Sequence, residues 1–114
     1  MTNSRDKGAR GERELASELR KYGYQAHRGM QYKGSPDSPD VVGLPNIHIE
    51  CKRVEHLNLY DAIAQATRDA GADDLPAVFH RKNNCPWLVT MKLVEWMKVF
   101  RIFELYKDEE EGKE

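Results

Sequence analysis

The chain has 114 residues, of which 39% are hydrophobic and 32% charged, and its formal net charge is −1. This length fits one domain with a single core, the apolar content argues against a disordered chain, and no apolar run is long enough to span a membrane. The first residues lack the apolar stretch of a secretory signal, so we expect a cytoplasmic protein with Cys51 and Cys85 reduced.

The charge is distributed unevenly along the chain. Residues 1–34 carry eight lysines and arginines against four acids, whereas the last eight residues hold five acids and two lysines. The basic segment permits a polyanion as partner, although a solvated helix face explains the same pattern. The composition of residues 107–114 predicts a disordered acidic tail, which leaves residues 1–106 as the folded domain.

The first predicted element is a helix capped by Ser4 and ended by Gly23. One face of it is marked by residues that recur at steps of four and three, namely Gly8, Glu12, Leu15, Leu19 and Tyr22. A short strand over 24–28 follows, and residues 29–39 are rich in Gly, Ser and Pro, which is typical of a loop. The chain therefore begins with an amphipathic helix whose apolar face includes one carboxylate.

Two strands are predicted next, over 40–44 and 46–53, joined by a tight turn at Pro45-Asn46. In the second strand the residues Ile47, Ile49 and Cys51 alternate with His48, Glu50 and Lys52. Because side chains alternate between the two faces of a strand, the apolar set lies on one face and the polar set on the other.

The rest of the chain predicts a helix, a hairpin and a last helix. Asn58 caps a helix that runs to Ala70, with Leu59, Ile63, Ala66 and Ala70 on its buried side. Residues 76–82 and 87–90 form the hairpin, and Thr90 caps a third helix that carries Leu93, Trp96, Met97 and Phe100 inward. The order of elements predicts an α/β fold in a single domain with a mixed sheet.

The segment PD-x9-ECK carries the most chemical information. The hairpin can bring Asp40 and Glu50 together, and two converging carboxylates suit Mg²⁺, which keeps several of its waters. Lys52 points to the same side as Glu50, where an ammonium can assist an attacking water and offset charge on a phosphate. An exposed hairpin with alternating charges fits the same letters, and a short ExK occurs often by chance.

Glu12 adds a carboxylate from a separate part of the chain. It lies on the apolar face of the first helix, where a charged group is costly unless a cation satisfies it. A metal ion between this helix and the sheet would do so, and so would a neighbouring arginine.

Several runs together resemble archaeal and phage Holliday junction resolvases, which belong to the PD-(D/E)xK nucleases. They are residues 7–14 (KGARGERE), Arg28, the Gly34-Ser35 loop, residues 39–42 (PDVV) and residues 49–52 (IECK). The resemblance covers roughly residues 5–90. It implies a restriction-endonuclease-like mixed sheet flanked by helices, a homodimer, and Mg²⁺-dependent cleavage of branched DNA at two symmetric positions in a bacterial, archaeal or phage-infected cell.

The resemblance also implies roles for individual residues. Four of them would be catalytic: Glu12, Asp40, Glu50 and Lys52. Asp40 and Glu50, with the Cys51 carbonyl, would hold Mg²⁺, for which Mn²⁺ is a possible substitute, and Glu12 would bind a second metal ion or its water. Gln65 matches a glutamine that recurs on the following helix of related nucleases.

DNA is the expected partner. Residues that surround the proposed site in sequence and could contact phosphates are Lys7, Arg10, Arg13, Arg28, Lys33, Ser35 and Arg53, with Gln65 beside them. Taken singly, each of these basic residues is better explained as a solvated charge. The histidines are scattered without CxxC or HxxxH spacing, which disfavours a zinc site. His48 shares the polar face with Glu50 and could reach the site, but it is expected to be a partly exposed strand residue. Apolar residues of the third helix in excess of one stripe favour a homodimer.

Two other functions stay open at this point. The nuclease chemistry could act on flaps, nicks or linear duplex instead of four-way junctions. A DNA-binding module that retains the fold without turnover would bind junctions in a salt-sensitive manner and yield no product.

Overall fold

The computed structural model describes residues 4–29 and 39–112, and of residues 4–7 it describes the backbone alone. In chain order the elements are α1 (Ser4–Arg20), β1 (His27–Arg28), β2 (Val41–Val42), β3 (Ile47–Arg53), α2 (Leu59–Asp69), β4 (Leu75–Arg81), β5 (Leu88–Thr90) and α3 (Leu93–Glu111). The strands form one sheet in the order β1-β2-β3-β4-β5. Only the β3–β4 pair is parallel among these described strands. This arrangement confirms the predicted mixed α/β fold.

The parallel pair is joined by α2, because parallel strands need a crossover and a helix provides it. The predicted cap is confirmed: the Asn58 side chain accepts a hydrogen bond of 3.1 Å from the Asp61 amide. Ala62 and Ala66 of α2 pack on Val78 of β4 and form one core cluster. One face of the sheet is therefore covered by α2.

A second core cluster lies on the opposite face of the sheet, against α1. Its buried members are Leu15, Ala16, Ala26, Val41, Ile49, Ala77 and Phe79. Neighbouring residues of β3 point to opposite faces, so Ile49 faces α1 while His48 and Glu50 face α2. The polar set of β3 is thus placed inside the molecule and not on an open surface.

Two predicted elements differ in extent from the structure. The first strand is confined to His27–Arg28 instead of 24–28, and β2 to Val41–Val42 instead of 40–44. Among the residues that the structure describes, these short strands pair with each other and with Ile49 of β3, so few ladder bonds hold them there. The predicted loop over 29–39 lies mostly outside the described residues.

The last helix differs most from expectation. It begins at Leu93 after an N-cap at Lys92 that makes no side-chain capping bond, whereas the predicted cap, Thr90, ends β5 and bonds His80 Nε2 at 2.8 Å. The inward placement of Leu93 and Trp96 is wrong, since they are 73% and 48% exposed. Among the described elements, none packs extensively against α3, so its apolar residues have no core to face.

The predicted boundary at residue 107 falls inside α3, which continues through Glu111. Lysine and glutamate have high helix propensity, so the acidic residues that follow position 106 continue the helix. None of the described helices is both long and apolar enough to cross a membrane.

Candidate active site

Asp40 is fixed by backbone bonds to strands on both sides. Its amide donates to the Ile49 carbonyl at 2.9 Å, and its carbonyl accepts from the Gly29 amide at 2.9 Å. A Cβ on residue 29 would lie 1.9 Å from the Pro39 carbonyl oxygen, so only glycine permits this close approach. The Asp40 carboxylate accepts a hydrogen bond of 2.8 Å from the Cys51 amide, which directs it at the middle of β3.

Glu50 lies beside Asp40 in the interior, with 3% of its surface exposed. The two side chains interact electrostatically, and each affects the pKa of the other. Lys52 Nζ is 3.5 Å from Glu50 Oε1, and the lysine side chain is 31% exposed. The lysine therefore extends from the buried carboxylate towards solvent on the face of β3 that carries Glu50.

Burial dominates the electrostatics of this pair. Burial, and after it the charge of Asp40, raise the pKa of Glu50, while Lys52 lowers it, and together they set it at about 7. Burial also raises the pKa of Asp40, which the hydrogen bond from Cys51 opposes. With a pKa of about 7, Glu50 holds a proton for part of the time near neutrality, and a cation beside it would replace that proton. Buried oxygen donors with excess negative charge fit a hard divalent ion such as Mg²⁺.

Glu12 reaches this region from α1. The helix lies close to the end of β3 because residue 11 is glycine: a Cβ there would be 2.6 Å from Cβ of Arg53. Burial raises the pKa of Glu12, Arg28 lowers it by a hydrogen bond of 2.9 Å, and the charge of Asp40 raises it. The arginine thus satisfies the carboxylate that the sequence places on an apolar helix face.

The predicted catalytic side chains are not all equally close to one another. Asp40, Glu50 and Lys52 adjoin one another, and Glu12 interacts electrostatically with Asp40. Within the described residues, however, the three carboxylates of this set do not all lie within 4.8 Å of one another. The Cys51 thiol packs on the α1 side, where burial and the nearby carboxylates raise its pKa.

His48 is a residue of this region that sequence reasoning misjudged. It is 2% exposed, so its expected partial exposure is wrong, because α2 covers the polar face of β3. One of its ring nitrogens forms a group with Glu50 and Asp69, in which all ligand atoms lie within 4.8 Å of one another. The available signal was the position of His48 two residues before Glu50; nothing local pointed to Asp69.

The predicted DNA-binding residues occupy varied environments. Arg53 contacts Glu14 at 3.2 Å and Asn83 at 2.9 Å, and with Arg10 it lines an open cleft of about 210 Å³. Arg28 is paired with Glu12, Arg13 is exposed, and Gln65 is half-buried on α2. The side chain of Lys7, together with Lys33 and Ser35, lies outside the described residues.

Comparisons with known proteins identify the family of this chain. The family described as archaeal Holliday junction resolvase (hjc) matches residues 3–113. A similar solved structure is that of Archaeoglobus fulgidus Hjc, a Holliday junction resolvase from an archaeal hyperthermophile, with a TM-score of 0.57 and 30% identity over 75% of this chain and 72% of that chain. No curated protein matches the chain. Since the family match covers nearly the whole length, the chain belongs to the archaeal Holliday junction resolvase family.

Proposed function

We propose that this protein is a Mg²⁺-dependent endonuclease that resolves four-way DNA junctions by paired phosphodiester hydrolysis in the cytoplasm. The observation that carries the proposal is the contact of Asp40, Glu50 and Lys52 on one face of β3, with the Cys51 amide orienting Asp40. Mn²⁺ is expected to replace Mg²⁺, since both accept carboxylate and carbonyl oxygens.

The residues divide the chemistry between them. Asp40, Glu50 and the Cys51 carbonyl would hold the ion. Glu12, on α1, would bind a second metal ion or its water. When bound, a divalent ion supplies an acidified water and neutralises charge on the phosphate. Lys52, at the solvent side of Glu50, would orient the attacking water and offset negative charge on the phosphate oxygens.

DNA binding would draw on the basic residues around the site. Arg28 and Arg53 are paired with carboxylates, so a phosphate must exchange with Glu12 or Glu14 to engage them. Arg10 and Arg13 are exposed on α1 and can contact phosphates without displacing a carboxylate. Such contacts position the duplex and carry no sequence preference.

A homodimer is proposed from the surface of α3. At 100° per residue, Val94, Trp96 and Ile102 point to three different sides of the helix, Phe103 shares the side of Trp96, and all four are exposed. A helix that is apolar on most sides is normally buried, so a second chain is the cover that we propose. Two chains would present two sites, as symmetric incision of a junction requires.

The test is cleavage of a synthetic four-way junction by the purified protein in Mg²⁺ or in EDTA. Asp40→Asn should lower the rate about a hundredfold or more because the ion loses a ligand, while Asp73→Asn, on an exposed loop, should cleave as wild type does. Flap, nicked and linear substrates run in parallel define the substrate class. Cleavage that persists in EDTA, or an unaffected Asp40→Asn, contradicts the proposal, and junction binding without product identifies a silent binding module.

A further inference from the structure

A second group of ligand-type side chains lies on the α2 side of Glu50. His48 precedes Glu50 by two residues on β3, and Asp69 ends α2. One ligand atom from each of the three lies within 4.8 Å of the other two. Since α2 runs back along β3, its last turn meets the first residues of the strand, which is how residues far apart in sequence come together.

The histidine gives this group a feature that an acidic cluster lacks. Its side chain is 98% buried, given an exposure of 2%, and Nε2 has no hydrogen-bond partner within the described part of the chain. Leaving a buried polar nitrogen unpaired is unfavourable, so a ligand for it is expected. Two carboxylates beside that ring make a cation the fitting ligand.

We propose that His48, Glu50 and Asp69 form a second divalent-cation position, which takes a borderline transition ion such as Zn²⁺ or Co²⁺. One imidazole and two carboxylates suit these ions better than Mg²⁺, which prefers oxygen ligands alone. Three protein ligands leave room for solvent to complete the coordination. Asp69 is only half-buried, so the position can be reached from outside. The proposal shares Glu50 with the proposed nuclease site but does not depend on cleavage.

Sharing Glu50 makes the two positions interdependent. An ion bound by His48 and Asp69 draws on the same carboxylate that would hold Mg²⁺ beside Asp40. By linkage, Mg²⁺ then changes the affinity for the transition ion by the same factor as the transition ion changes the affinity for Mg²⁺.

The experiment is titration of the metal-free full chain with Zn²⁺ by calorimetry and with Co²⁺ by visible absorption. His48→Gln and Asp69→Asn should each weaken binding at least about tenfold, since even outer partners of metal ligands are worth that much. The matched controls are His56→Gln and Asp73→Asn, both at exposed positions, which should bind as wild type does.

Asp40→Asn separates this proposal from the nuclease proposal. That variant should lose cleavage while it retains the Co²⁺ spectrum, whereas Asp69→Asn should lose the spectrum. Because His48 is buried, each variant is checked by circular dichroism and thermal unfolding. Asp69→Asn decides the matter if His48→Gln fails to fold. Wild-type affinity in Asp69→Asn, no Co²⁺ binding by wild type, or a thiolate-to-cobalt band that places the ion on a cysteine would each overturn the proposal.

Discussion

Two regions of this molecule reverse the usual distribution of residues in opposite senses. Under α2, the polar face of β3 buries Glu50 and His48, whereas α3 exposes most of its apolar side chains. Buried charge is costly without a cation, and exposed apolar surface is unfavourable without a cover. The comparison teaches that the two proposed partners rest on opposite features: the metal ion on buried polar groups, and the second protein chain on exposed apolar ones.

The sharpest way to test the buried region is to remove its ammonium group. Lys52→Met should lower junction cleavage about a hundredfold or more, because the water and the phosphate lose a positive charge that acts at the reacting atoms. Binding of junction DNA should change much less. Lys98→Met, which breaks the Lys98–Glu95 pair on α3, is the control and should cleave as wild type does. Equal cleavage by both variants would remove Lys52 from the mechanism.

The exposed region is tested by placing charge on α3. The double variant Ile102→Glu, Phe103→Glu puts two carboxylates where apolar side chains are 67% and 52% exposed. We expect the dissociation constant of the dimer to rise about a hundredfold, because burying unpaired carboxylates in an interface is costly. Sedimentation velocity over a concentration series measures it, with Arg101→Glu as a charge-changing control on the same turn. A wild-type chain that stays monomeric at high concentration contradicts the proposed role of α3.

A pH series on the metal-free protein isolates the cost of the buried carboxyl pair. The folded pKa of Glu50, about 7, lies above the ordinary value of 4.5, so the folded state binds the proton more tightly. Stability should therefore fall as pH rises from about 4.5 to about 7, with the full penalty above that range. Glu50→Gln cannot ionise and should be more stable than wild type by about 1–3 kcal/mol at pH 8, but not at pH 4.

Urea unfolding in EDTA at the two pH values measures this effect. Glu104→Gln, on exposed α3, is the control and should leave stability unchanged at both. Addition of Mg²⁺ should reduce the advantage of Glu50→Gln at pH 8, because an ion offsets the charge in wild type. A constant difference between wild type and Glu50→Gln at pH 4 and pH 8 would contradict the assignment of the penalty to ionisation.

The smallest expected effect concerns the N-terminal caps of α2 and α3. Asn58→Ala removes the bond to the Asp61 amide and should lower the free energy of unfolding by about 1 kcal/mol. Lys92→Ala, at the start of α3, removes no capping bond and should cost much less. Thermal or urea unfolding of both variants decides it, and equal losses would mean that the cap contributes nothing specific to α2.

Local patterns in the sequence predicted much of the fold. Alternation along β3 predicts which residues share a face, the asparagine before residue 59 predicts the cap of α2, and the hairpin of β4 and β5 follows from its turn residues. Each of these features is decided by neighbours a few positions apart. The relation between Asp40, Glu50 and Lys52 belongs with them, because a short hairpin and a two-residue step set it.

Contacts between distant segments could not be predicted in this way. Glu14 joins Arg53 and Arg81, which lie 39 and 67 residues away, and His48 meets Asp69 only because α2 folds back over β3. The burial of β3's polar face depends on the same crossover. The expected inward stripe of α3 failed for a related reason: a periodic pattern identifies an apolar face but not whether its cover belongs to the same chain.

The placement of Cys51 has a practical consequence for labelling the protein. Thiol reagents and oxidants attack the thiolate, and the raised pKa of Cys51 keeps that sulfur protonated and sheltered. Cys85, in the turn between β4 and β5, is the other free cysteine. A maleimide dye should therefore react with Cys85 first and leave Cys51, next to the carboxylates around Asp40, unlabelled. The labelled protein then carries a fluorescent reporter without any substitution in the chain.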